Sequence, residues 1–181
     1  MVQLIPISSP NELSEGLKEI YLGSFPSDER REWQELVEQL QHPDFIVHQV
    51  FYNQELIGLI TTWGLPGFTF IEHFAIKESI RGRGIGSKTI RFITETKFPR
   101  IILEVEEPTD KSARRRIAFY KRLGFSVCKN TYWQPPYSPE KKKVKMLLMS
   151  FPDKIQPGEF MEIKKHIYLE VYQSKEFVDL E

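Results

Sequence analysis

The residues with the clearest chemical meaning lie between Arg81 and Ser87, which read Arg-Gly-Arg-Gly-Ile-Gly-Ser with glycines at 82, 84 and 86. Alternate glycines leave the backbone N–H groups of a loop unobstructed, so a ligand can approach the main chain closely. Phe74-Ala75-Ile76 reads as the end of a strand before this loop, and Ile85, Thr89, Ile90 and Ile93 as one face of a helix after it. Free amides at a helix start, with the positive end of the helix dipole behind them, form an anion site, and phosphate suits it. Two common phosphate loops do not fit. The Walker A pattern needs Gly immediately before Lys, whereas Gly86 is followed by Ser87 and only then by Lys88-Thr89. One helical position turns a side chain by about 100°, away from the phosphates. The dinucleotide fingerprint G-x-G-x-x-G follows the first strand of a βαβ unit, but here the spacing is G-x-G-x-G in mid-chain.

A third pattern does fit. Arg81-Gly82-Arg83-Gly84-Ile85-Gly86 resembles the R-x-x-G-x-G signature of the GNAT superfamily of N-acetyltransferases, and Phe74-Ala75-Ile76 lies where that family has its fourth strand. Downstream, Ala118-Phe119-Tyr120-Lys121-Arg122-Leu123-Gly124-Phe125 is similar to the family's second motif, an aromatic-Tyr pair followed by Gly-Phe. The two motifs stand in the family's order with one strand, Ile101 to Glu106, between them. The resemblance covers roughly residues 1–151 and implies a direct transfer of acetyl from acetyl-CoA to an amine.

Such a transfer needs a held acyl donor, a polarised thioester carbonyl, a neutral amine and a protonated leaving thiolate. The resemblance implies that backbone amides from Arg81 through Gly82, Arg83, Gly84, Ile85 and Gly86 to Ser87 take the CoA pyrophosphate, with charge-assisted contacts from Arg81 and Arg83. It implies that main-chain N–H groups near Phe74 and Ile76 polarise the thioester oxygen, an oxyanion-type contribution of about 3 kcal/mol per donor in other enzymes. An alkyl ammonium with a pKa of about 10.4 must lose a proton first. Glu72, four residues before Ile76, stands where several family members carry a glutamate proposed as base. Its apolar neighbours Phe70, Ile71 and Phe74 predict a raised pKa; the alternative is an acceptor-binding or structural carboxylate. His73, the second candidate for that base, is expected on the opposite side of the strand unless a bulge intervenes. Tyr120 matches the family tyrosine that protonates the thiolate; on its own it would read as a packed helix tyrosine. Glu104 and Glu106 share one strand face and are candidates to bind a cationic acceptor; Trp133 stands in an aromatic loop, Tyr132 to Tyr137, that either lines the acceptor site or covers the end of the sheet. Many family members carry Asn seven residues before the tyrosine and Ala four before it, where this chain has Ala113 and Arg116. The basic run Arg114-Arg115-Arg116 reads as a solvated face or as a partner for the nucleotide end of CoA.

The elements that must position these groups are legible in the periodicity. Val2–Ile7 reads as a strand. Ser9-Pro10-Asn11-Glu12 predicts a capping box opening a helix that buries Leu13, Leu17, Ile20 and Tyr21. Trp33, Leu36, Val37 and Leu40 mark a second helix. Strands follow at Phe45–Phe51 and Leu56–Trp63 around a hairpin, then at Phe68–Ile76. A helix is predicted over Lys111–Leu123, with Gly124 beyond its end. Ser126–Tyr132 and Val144–Phe151 close the sheet, and Trp133 to Pro139 is expected as a proline-rich link. The order β-α-α-β-β-β-α-β-α-β-β matches the GNAT fold, an α/β sandwich with a mixed, mostly antiparallel sheet and helices on both faces. Its fourth and fifth strands part to admit the acyl-CoA, as the resemblance implies. Residues 1–151 form that domain, and 152–181 a C-terminal extension. There Phe160, Ile163, Ile167 and Val171 share a helical stripe, to pack on the domain, cover the cleft or meet another subunit.

Composition narrows the rest. The chain has 181 residues with Lys+Arg and Asp+Glu at 25 each, which suits one domain and leaves no bulk charge to attract nucleic acid or an anionic membrane. A single cysteine, Cys128, excludes an internal disulfide framework. His42, His48, His73 and His166 form no metal-ligand spacing, so no metal is expected. No apolar run or leader pattern appears, and the expectation is a cytoplasmic monomer or homodimer acting on a small-molecule amine or a peptide. Two other readings stand beside it: a non-catalytic acyl-CoA-binding or regulatory domain that retains the loop, and a nucleotide-binding switch.

Overall fold

Apolar alternation and glycine punctuation resolve, in the computed structural model, into eight strands and five helices over the described residues, 1–174 and 176. The strands are β1 (Val2–Pro6), β2 (Phe45–Tyr52), β3 (Glu55–Leu65), β4 (Phe68–Ile76), β5 (Ile101–Glu106), β6 (Ser126–Val127), β7 (Tyr132–Gln134) and β8 (Val144–Phe151). They form one sheet in the order β1-β2-β3-β4-β5-β8-β6, with β7 also on β8. Every neighbouring pair is antiparallel except β4 and β5. Asn53 and Gln54 turn the β2–β3 hairpin with φ of 50° and 69°, the left-handed geometry that a two-residue hairpin needs.

The parallel pair is short. Only Thr69, Phe70 and Ile71 of β4 face partners on β5, namely Ile101, Ile102 and Leu103. From Glu72 onward the two strands part.

The helices are α1 (Glu15–Ser24), α2 (Trp33–Gln39), α3 (Ile85–Thr96), α4 (Lys111–Arg122) and α5 (Phe160–His166), the last running on through a wider turn at Ile167–Val171. Two apolar clusters mark the two faces of the sheet. Leu17, Ile20 and Tyr21 of α1, with Leu36 and with Phe160, Ile163 and Val171 from the C-terminal segment, pack on Trp63, Phe70, Ala75 and Ile102. Ile90 and Ile93 of α3 and Ile117 and Tyr120 of α4 pack on Ile71, Leu103, Val105 and Met149. This is the mixed, mostly antiparallel α/β sandwich with helices on both faces that the motif order implied.

Three boundaries differ from expectation. Ser9 caps only a single 3-10 turn, Pro10–Glu12, and Leu13 is extended. Ser14 caps α1 instead, its hydroxyl accepting from the Leu17 N–H at 3.2 Å. Two cap serines compete here, and the second starts the turn that buries Leu17, Ile20 and Tyr21 together. The strand expected over Ser126–Tyr132 is interrupted, and Trp133 and Gln134 belong to β7 rather than to a link. Between its two halves the chain uses five steps, Val127 to Tyr132, against three on β8, Met149 to Met146; the surplus loops out and β7 resumes before the prolines. The C-terminal stripe, Phe160, Ile163, Ile167 and Val171, is buried as expected, and Met161 beside it is exposed.

Candidate active site

A bulge in β4 aims the backbone. His73 pairs with Thr61 and Ile71 with Thr62, so Glu72 is the extra residue. Before it, the Thr69 amide donates toward β5, to the Arg100 carbonyl at 2.9 Å; after it, the Lys77 amide donates toward β3, to the Ile57 carbonyl at 2.8 Å. Strand alternation from Thr69 alone would aim the amides of residues 73 and 75 at β5. The inserted residue reverses the parity. Phe74 and Ile76 therefore present their N–H groups to the opened side, and the Ile76 carbonyl, on the same side, is held by Arg81 Nε at 2.8 Å.

The glycine loop follows. Gly82 and Gly84 have φ of 83° and 74°, and a side chain added at either would meet open space. That left-handed geometry favours glycine. Gly84 is the N-cap of α3 with no side chain capping it. Among the described residues the amides from Gly82 to Ser87 donate to no protein acceptor, whereas the Arg81 amide is taken by the Glu78 carbonyl. Gly86 lies 3.7–3.8 Å, measured from an added Cβ, from the rings of Phe119 and Phe74, which seat the start of α3 against both motifs.

The opened edge of β4, this loop and α4 border one cleft of about 900 Å³. At one end it meets the glycine loop and at the other Glu29, Glu72, Glu104 and Glu106; Lys111, Arg115 and Arg122, spread along α4, line it as well. The first end suits polyanions and the second suits a cation. Tyr120 lies on the same cleft. Burial lifts its phenol well above the ordinary value, with Arg116 opposing and Glu106 adding to the rise. Arg116, in the position where the family often has alanine, forms an ion pair with Glu106.

The acceptor-side expectations need correction. Glu72 has a side chain only 1% exposed. Its Oε1 accepts from Arg31 and from the Tyr137 hydroxyl, each at 3.1 Å, and its Oε2 from Trp63 Nε1 at 2.9 Å. Burial alone would raise its pKa, but Arg31, the His73 ring and the bonds from Trp63 and Tyr137 outweigh burial and hold the carboxyl below its usual range. The expected elevation does not occur, because the donors come from α2's approach and from the loop after β7, far away in sequence. The bulge also brings His73 to the same face as Glu72, at 3.8 Å. Its Nδ1 faces the Thr61 hydroxyl at 3.1 Å and its Nε2 the Glu29 carbonyl at 3.2 Å. A carbonyl only accepts, so Nε2 carries the proton and both nitrogens are engaged.

Glu104 accepts from the hydroxyls of Tyr132 and Tyr172. Burial lifts it to about 7, against those two bonds and with help from Glu72 and Glu29. Glu106 lines the cleft but is neutralised by Arg116. Trp133 does not border the cleft: alternation along β7 buries Tyr132 and Gln134 and turns Trp133 outward, where Lys143 covers its ring at 5.1 Å. Arg83 is exposed and off the cleft, and Arg81 spends its Nε on Ile76. Arg114 is likewise occupied, donating to the carbonyls of Pro108 and Thr109. Sequence reasoning missed Glu29, Arg31 and Tyr172 as parts of this end, since no local spacing ties them to β4 or β5; Gln134 and Tyr137 fell within the aromatic loop set beside the acceptor, without their partners. Among the described residues no group of His, Cys, Asp and Glu could hold a metal ion. Among the described residues no helix is long and apolar enough to cross a membrane.

Comparison with known proteins agrees with this architecture. Residues 14–125 match the acetyltransferase (GNAT) family. A structure from Bacteroides thetaiotaomicron, assigned to the GNAT acetyltransferases, is 32% identical over 94% of this chain and 98% of its own, with a TM-score of 0.87. More distant likenesses show the fold alone. A Bacillus subtilis acetyltransferase in complex with CoA is 15% identical over 86% of this chain and all of its own, TM-score 0.60. Arabidopsis thaliana Naa50, in complex with the bisubstrate analogue CoA-Ac-MVNAL, is 21% identical over 85% of this chain and 99% of its own, TM-score 0.59. No curated protein matches the sequence. On the family match and the Bacteroides relative together, the chain belongs to the GNAT family of acetyltransferases.

Proposed function

We propose that the protein transfers the acetyl group of acetyl-CoA directly to a primary amine. One observation carries this reading: the unpaired amides of Gly82 and Gly84–Ser87, the amides of Phe74 and Ile76, the Tyr120 phenol and a set of carboxylates all border one continuous cleft. The glycine-loop amides receive the CoA pyrophosphate, with Lys111, Arg115 and Arg122 on the same cleft for the one remaining phosphate, on the ribose. Pantetheine then runs along the freed edge of β4, where the Phe74 and Ile76 amides meet the charge that develops on the thioester oxygen. Tyr120, kept protonated by burial, gives its proton to the departing sulfur. The amine approaches from the carboxylate end. The bisubstrate analogue in Naa50, which joins CoA to a peptide, occupies a protein of this same fold and supports a two-ended cleft. Glu72, bound on all sides, organises the wall of that end.

Free-thiol release from acetyl-CoA, followed with 1,5-diaminopentane, 2-phenylethylamine and a tetrapeptide with a free N terminus, tests the reading. Tyr120→Phe is expected to lower kcat by about 10²- to 10³-fold while leaving acetyl-CoA affinity within about twofold. Tight CoA binding with no turnover of any amine, unchanged in Tyr120→Phe, would mark a non-catalytic acyl-CoA-binding domain instead.

A further inference from the structure

With Glu72 bound on all sides, the cleft needs another group to take the acceptor's proton. The chain between α1 and α2 crosses over the gap between the parted strands and is pinned on both banks. From β4, His73 Nε2 donates to the Glu29 carbonyl at 3.2 Å; from β7, Gln134 Nε2 donates to the Asp28 carbonyl at 3.2 Å. The Lys142 amide reaches Asp28 Oδ1 at 3.3 Å, and Lys141 Nζ reaches the Arg30 carbonyl at 2.6 Å. Next along the chain, the Arg31 amide donates to the Tyr21 hydroxyl at 3.0 Å. Glu29 thus hangs from a strap whose backbone is fixed, and its side chain borders the cleft.

The other carboxylates there are committed. Glu72 is paired with Arg31 and holds two further donors, Glu104 holds two phenols, and Glu106 holds Arg116. Among the described residues the Glu29 carboxylate has no hydrogen bond or ion pair. We infer that Glu29 is the base of the proposed transfer: it receives the acceptor ammonium and takes its proton before attack. This inference rests on the acetyl-transfer reading.

The groups that face Glu29 are consistent with the role. Burial and the charge of Glu106 on β5, with Asp28 beside it, lift its carboxyl to about 7, while Arg116 on α4 opposes the rise; Glu104 of β5 also acts on this end electrostatically. A base is most effective when its pKa lies near the working pH. The protons balance as follows. R–NH3⁺ gives one proton to the Glu29 carboxylate, directly or across one water. The nitrogen lone pair attacks the thioester carbon, forming C–N and moving the carbonyl π pair onto oxygen. Collapse breaks C–S, and the sulfur leaves with that electron pair and takes the Tyr120 proton. The surplus proton on nitrogen restores the phenol, and Glu29 returns its proton to solvent. The products are the amide, CoA thiol and one proton.

The experiment is the pH profile of kcat/KM with the same three amines, for wild type, Glu29→Gln and Glu104→Gln. Glu29→Gln is expected to lose about 10²-fold near pH 7 and to lose the limb near 7, its rate rising instead with pH toward the pKa of the free amine. Its deficit should shrink as the acceptor deprotonates unaided, toward pH 10 for the two alkylamines, with pKa about 10, and already near pH 8 for the peptide α-amine. Acetyl-CoA affinity should not move, and Glu104→Gln should keep the limb. Glu29→Gln within about threefold of wild type near pH 7 would overturn the assignment. So would a deficit equal at both pH values, which marks a structural role, and so would loss of the limb in Glu104→Gln alone, which transfers the task to Glu104. A wild type that releases thiol with none of the amines sinks the acetyl-transfer reading itself, and this inference with it.

Discussion

The two ends of the cleft are made of different material. At the phosphate end the ligand-facing groups are main-chain amides, set by a glycine loop and by the parity switch at Glu72. At the carboxylate end they are side chains brought from the strap at residues 27–32, from β4 and β5, from β7 and the loop after it, and from the C-terminal segment. A backbone site tolerates many side chains, so one chain family can keep it while its acceptor changes. A side-chain site is specific, and each member depends on the others for its charge and its place. Changes at the two ends should therefore fail in different ways.

The largest effect is expected at the carboxylate end, and on stability. Arg31 sits over the rings of Tyr137 and Trp63 at 4.9 and 5.7 Å, pairs with Glu72 and donates to the Val171 carbonyl. Arg31→Met keeps much of the volume and leaves a buried carboxylate without its cation. The loss should be about 3–5 kcal/mol in urea unfolding. Adding Glu72→Gln to that variant should restore part of it, since the uncompensated charge is then gone. A loss under about 1 kcal/mol in the single variant would show that the network does not act as a unit.

At the phosphate end the corresponding change should spare the fold and remove the ligand. Gly84→Glu places a carboxylate in open space where the pyrophosphate is proposed to lie, on a residue with φ of 74°. Affinity for CoA by calorimetry should fall about 100-fold or more, with a stability cost near the 1–2 kcal/mol of a left-handed residue. Gly84→Ala carries the same backbone strain without the charge, so the difference between the two variants isolates the electrostatic part. Equal affinity in both would mean that the loop does not hold the diphosphate.

The same contrast explains what the sequence disclosed. The loop, the strand before it and the Tyr120 motif are local, and glycine spacing plus helical periodicity placed them where they stand. The chain order of strands and helices followed from turn signals and periodicity, and the arrangement of the sheet from the family resemblance. Glu72 was found by position, yet its ionisation was misjudged, because Arg31 and Tyr137 lie 41 and 65 residues away. Trp133 was misplaced because proline content hid a three-residue strand whose alternation sets its direction. His73 changed sides through one inserted residue, and neither strand's apolar pattern announces that bulge. Glu29 lies in a polar stretch, Ser27-Asp28-Glu29-Arg30-Arg31, whose meaning depends on what it crosses.

The smallest expected effect tests whether Glu104 belongs to the wall or to the chemistry. Its carboxyl is lifted from 4.5 to about 7, so the folded state holds a proton that the unfolded chain releases near 4.5. Stability from that proton is fully present below about pH 4.5 and is lost as pH rises through about 7. Glu104→Gln imitates the protonated acid: one amide oxygen keeps a phenol donor, and the amide N–H₂ turns the other phenol into an acceptor. The variant should match wild type in melting temperature near pH 5 and exceed it near pH 8.5, by the equivalent of about 1–3 kcal/mol. A variant less stable than wild type at both values would mean that Tyr132 and Tyr172 need the ionised form. Glu104 would then be a fixed anion at the acceptor end, and a cationic acceptor would gain a second point of attachment beside Glu29.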